Sequence, residues 1–68
     1  MRIIDRLVEE AHTFQRPAVL KIQVEEVEPL AREMNLMLYR PTATLAALQA
    51  WILAGDAKIA GIPVQVSA

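Results

Sequence analysis

His12 is the only histidine in the chain, and so the one side chain whose ordinary titration range lies near neutrality. A general base also needs a substrate pocket and an orienting partner. The sequence around His12 supplies neither, and a position on the flank of a helix near its C-terminus accounts for the residue. Glu25, Glu26 and Glu28 form the densest acidic cluster and present the oxygen chemistry that Mg²⁺ or Ca²⁺ prefers. Their spacing does not converge on one ion, because helix neighbours point in different directions and no calcium-loop pattern surrounds them. They are expected to form a solvated first helical turn, where negative charge is favoured. Ser67 is the only serine and lies beside the chain's last residue, so serine-based acyl transfer has no foundation. Gly55 and Gly61 do not match a phosphate-cradling pattern and read as a helix cap and a strand irregularity. Trp51 and Tyr39 could stack on bases, but no basic residues interleave around Trp51. Its neighbours Leu48, Ile52 and Leu53 point instead to a core or an interface.

These residues must be positioned by one small domain spanning 1–68, since 68 residues cannot supply two cores. Hydrophobic residues make up 54% of the chain, more than a core of this size is expected to absorb, and the surplus points to contact with another chain. Seven basic and eight acidic residues give a net charge of -1. The basic residues are dispersed, so no phosphate-binding stripe is evident and nucleic acid is not an expected partner. The absence of cysteine removes disulfides and thiolate chemistry and fits a reducing compartment. The longest apolar segment, Ala43 to Ala54, is shorter than a membrane span, and the charged start Met1-Arg2-Ile3-Ile4-Asp5-Arg6 does not resemble a secretory signal. A cytoplasmic protein without membrane contact is expected.

Periodicity divides the chain into six elements. Ile3, Ile4, Leu7, Val8, Ala11 and Phe14 recur at helical spacing, and Pro17 closes that helix by disfavouring helical geometry at Arg16. Leu20, Ile22 and Val24 alternate with Lys21 and Gln23 as in a half-buried strand. Val27, Leu30, Ala31 and Met34 predict a second helix that starts close to Glu25 or Glu28, tolerates Pro29 in its first turn and ends near Asn35. Leu36-Met37-Leu38-Tyr39 then reads as a buried strand stopped by Pro41. A third helix follows Thr42 or Thr44 as N-cap and ends at Gly55. Ile62, Val64 and Val66 form a last strand, which Pro63 assigns to an edge or a bulge. The expected fold is α+β, or small α/β, with three helices alternating with three short strands and packed on a small sheet. Parallel and antiparallel strand orders both remain open.

The stretch Ile22-Gln23-Val24-Glu25-Glu26-Val27-Glu28-Pro29-Leu30-Ala31-Arg32-Glu33-Met34, together with Lys58-Ile59-Ala60-Gly61-Ile62-Pro63-Val64-Gln65-Val66, resembles small accessory proteins encoded by bacterial phages and prophages. The resemblance spans roughly the last two-thirds of the chain as general texture. It implies action by contact with host or phage proteins and transfers no binding residue.

Taken together, the residues point to a non-catalytic protein-interaction module without catalytic, cofactor-binding or metal-binding residues, self-associating as a homodimer alongside an unidentified protein partner. The candidate interface comprises Leu36, Leu38, Tyr39, Leu48, Trp51 and Ile52. A small DNA-binding transcriptional regulator is the alternative, since a dimer would double a modest basic patch. A small-molecule enzyme would need a pocket gathering His12 or a buried carboxylate.

Overall fold

The computed structural model describes residues 1–13, 16–37 and 44–67. Three helices, α1 (Ile3–Thr13), α2 (Val27–Met37) and α3 (Leu45–Leu53), accompany three strands, β1 (Leu20–Gln23), β2 (Lys58–Ile59) and β3 (Ile62–Ser67). The fold is a small α+β arrangement. One apolar cluster joins Leu7 and Ala11 of α1, Leu30, Ala31 and Met34 of α2, and Leu48 and Ile52 of α3 to the inward strand residues Leu20, Ile22, Ile59, Ile62 and Val64. The helices therefore cover one face of the sheet, and the alternate strand positions face away from them.

Identifiable contacts mark the start of each helix and the ends of α1 and α3. The first N–H groups of α1 are satisfied by Glu33 of α2, not by a side chain at Arg2, and the Arg16 N–H closes its far end on the Ala11 carbonyl. Arg16 adopts a left-handed φ of 57° before Pro17, consistent with the steric penalty on helical geometry there. A single 3-10 turn, Val24–Glu26, leads directly into α2. Pro29 is the third residue of α2, so its missing N–H costs no helical bond. Thr44 caps α3, its hydroxyl oxygen accepting from the Ala47 N–H at 3.0 Å. At the other end the Gly55 and Asp56 N–H groups donate to the Ile52 and Trp51 carbonyls. With Gly55 at φ 82°, these two bonds make the paired C-terminal cap that a residue without Cβ permits.

Two expectations about the strands are corrected. Leu36 and Met37 are the last residues of α2, not the start of a strand, while Leu38 and Tyr39 of that expected strand lie outside the described residues. Helix propensity carries α2 past Asn35 because Leu and Met are strong helix formers, and Leu36 is 75% exposed, which a buried strand would not allow. The middle strand of the chain is instead β2, two residues long, joined to β3 through Ala60-Gly61.

The second correction concerns Pro63. The strand order is β1-β3-β2, so β3 is central, not an edge. β3 pairs parallel with β1 from Leu20↔Val64 to Gln23↔Ser67 and antiparallel with β2 at Lys58↔Pro63 and Ile59↔Ile62. The Val64 N–H donates to the Ala57 carbonyl at 2.9 Å, and alternation along a strand then turns the Pro63 nitrogen toward β1. β1 begins only at the level of Val64. Pro63 thus occupies the one step where a central strand has no ladder bond for it to lose.

Candidate functional site

Helix α3 contains no charged residue. Its inward stripe, Leu48 and Ile52, is 4% and 0% exposed, and Trp51 and Leu45 are half-buried against the same core. The outward stripe is Ala46, Ala47, Ala50, Leu53 and Ala54, all exposed, with Leu53 at 57%. An isolated Ala or Leu on a surface calls for no explanation, whereas a helix face with no polar side chain between its apolar ones is unusual. Gln49, the single polar residue within α3, is half-buried and off this stripe.

A second surface feature lies where the N-terminal end of α3 meets α2. Arg32, Asn35 and Leu36 of α2 and Leu45 of α3 line a shallow depression of about 230 Å³. This is below the range of about 300–1,000 Å³ typical of small-molecule clefts. Arg32, the one titratable side chain among its described lining residues, is already engaged by Glu28 one turn earlier. Among the described lining residues there is no acid–base pair and no nucleophile.

The six candidate interface residues are distributed unequally. Leu36 is exposed, Trp51 is half-buried, and Leu48 and Ile52 are core residues whose side chains a partner would not reach without unpacking the helix. Leu38 and Tyr39 lie outside the described residues. The residues that sequence reasoning missed are Ala46, Ala47, Ala50, Leu53 and Ala54. The signal was present in the uncharged helix, but its orientation could not be resolved when apolar residues occupy every side.

The groups considered for chemistry have structural positions. His12 is exposed in the last turn of α1. Ser67 ends β3, and Gly61 sits in the β2–β3 turn. The acidic cluster is divided: Glu25 is exposed, Glu28 pairs with Arg32, and Glu26 is drawn into a network with α1. Its two oxygens lie 2.6 and 3.3 Å from the Arg6 guanidinium nitrogens, and the second also accepts the Gln23 N–H at 2.9 Å. The Arg6 hydrogen bonds, followed by the Gln23 N–H, hold the Glu26 carboxyl below the usual range. The hydrogen bond to Glu26 raises the guanidinium in turn. The expectation of a wholly solvated acidic turn is corrected here: Glu26 fastens α1 to the end of β1.

The chain matches no protein-family model, and comparison with curated proteins and solved structures yields no significant match.

Proposed function

We propose that this domain is a non-catalytic protein-interaction module that associates with a second copy of itself through the outward face of α3. The supporting observation is the exposed, uncharged stripe Ala46–Ala47–Ala50–Leu53–Ala54. Small side chains let two helix backbones approach closely, and Leu53 supplies the apolar area that alanines lack. Because α3 carries no charge, two copies can meet without repulsion across that face. A stable interface buries about 800 Å² on each partner, more than one nine-residue helix presents. The contact must therefore extend over Leu45 to Leu36, where the depression between α2 and α3 receives side chains from the other copy. Action through such a surface is also what the resemblance to phage accessory proteins implies.

Sedimentation velocity at low micromolar concentration tests the proposal. The wild-type chain sediments as a dimer, and Leu53→Glu sediments as a monomer with an unchanged far-ultraviolet circular dichroism spectrum. A wild-type monomer throughout the accessible concentration range, or a Leu53→Glu variant that remains dimeric, overturns it.

A further inference from the structure

The sheet face that the helices leave uncovered carries a second surface. Its positions follow from the strand alternation: Lys21 and Gln23 on β1, Pro63, Gln65 and Ser67 on β3, and Lys58 on β2. None of the three strands contains an acidic residue. Among the described residues, three other cations are paired within the fold: Arg2 with Asp5, Arg6 with Glu10 and Glu26, and Arg32 with Glu28. Among the described residues Arg16, Lys21 and Lys58 are the arginine and lysine side chains outside these pairs. Lys21 lies in register with Gln65, and Lys58 with Pro63, so the two lysines flank the central strand. Arg16 is held at the same end of the sheet by donating to the Ala60 carbonyl at 3.0 Å. The acidic residues closest in sequence, Glu25 and Asp56, lie outside the strands, in the 3-10 turn and in the segment before β2.

We propose that this open sheet face docks a carboxylate-rich polypeptide segment, with Lys21 and Lys58 as the charge contacts and Gln23, Gln65 and Ser67 as hydrogen-bonding groups between and beside them. The charge complementarity selects the occupant. Lysine ammonium groups act as separate point charges, each suited to one carboxylate, and the side-chain amides between them match the donors and acceptors of a peptide. A nucleic-acid strand would require stacking platforms, and no strand carries an aromatic residue. A phosphate backbone would also require more neutralising cations than this face supplies. The surface lies on a different layer from the α3 stripe and does not depend on self-association.

Titration of the full chain at low salt with a short polyglutamate peptide, followed by amide chemical shifts, reads this directly. The peptide is expected to move the amide resonances of Lys21, Lys58 and Gln65, to weaken as salt is added, and to bind about tenfold less tightly to K21E/K58E. Both substitutions are at exposed positions, and the amide spectrum itself reports whether the variant remains folded. The same titration on Leu53→Glu separates the two surfaces, because docking on the sheet persists in a monomer. The inference is overturned if the peptide shifts no resonance, if the shifts map to the helices, if K21E/K58E binds equally well, or if an oligothymidylate of the same length binds this face more tightly.

Discussion

The carboxylate of Glu33, on α2, accepts the backbone N–H groups of Ile3 and Ile4 at 3.1 and 2.9 Å, so one helix is capped by the side of another. Charge favours the arrangement, since a carboxylate opposes the positive end of the helix dipole. Glu33→Ala is expected to lower stability by about 1–2 kcal/mol, the cost of a lost cap with its charge. Glu33→Gln should retain part of it through the amide oxygen. Urea denaturation measures both, and exchange of the α1 amides should accelerate more than that of the α3 amides. Equal stability of Glu33→Ala and wild type would show that solvent caps α1 equally well.

The Arg6–Glu26 contact predicts acid sensitivity with a definite sign. Glu26 is held below its ordinary range when folded, so in acid the unfolded chain binds more protons at this position. Its contribution is complete above the ordinary glutamate range and fades as pH falls through the lowered folded value. Glu26→Gln should reduce stability at neutral pH and flatten the slope between neutral and acid conditions. Urea midpoints over that interval, for wild type and variant, test it; parallel pH profiles would exclude Glu26 as a source of the slope.

Core and surface positions on α3 should separate cleanly. Leu48→Ala opens a cavity beneath the helix and is expected to cost about 2–5 kcal/mol, enough to unfold much of so small a domain. Leu53→Ala removes a side chain already 57% exposed and should leave the unfolding midpoint of the monomer within about 0.5 kcal/mol. Thermal or urea denaturation at concentrations below self-association makes the comparison. A large effect at Leu53 and none at Leu48 would reverse the assigned orientation.

The β2–β3 turn is strained at one of its two central positions: Gly61 accommodates its φ of 80°, whereas Ala60 holds a φ of 52° with a Cβ present. Positive φ at both central positions is the geometry of the tight hairpin turn that prefers Asn-Gly. Ala60→Asn should therefore stabilise by up to about 1 kcal/mol. Gly61→Ala should destabilise by about 1–2 kcal/mol, because its new Cβ would also come within 3.3 Å of the Arg16 guanidinium. Melting temperatures of the two variants should move in opposite directions.

Much of this architecture was legible in the sequence where a pattern is local. The stripe of α1, the tolerance of Pro29, the cap at Thr44 and the stop at Gly55 each depend on residues within a turn or two. The β2 strand escaped because two residues carry no periodicity, and Ala-Gly is a weaker turn signal than Asn-Gly. Leu36 and Met37 were misread because a short apolar run fits a strand or a helix equally well. Pro63 was misplaced for a different reason: proline reports the absence of a bond, and only the register of β1 shows that the absence occurs inside the sheet. The Glu33 cap and the Arg6–Glu26 pair join residues 20 to 30 positions apart, a relationship that a single sequence does not encode in any spacing.

The central placement of β3 also sets an order of assembly. Both strand pairings in the sheet use β3, but they differ in reach: β2 is its immediate neighbour, whereas β1 precedes α2 and α3. The hairpin closes a two-residue loop, while the parallel pair must bring together segments separated by two helices, at a larger loop-closure cost. Arg16 and Ala60, 44 residues apart, come together at the same closure. By loop-closure cost the capture of β1 is the expected slow step of folding, one that stabilising the hairpin turn would leave in place.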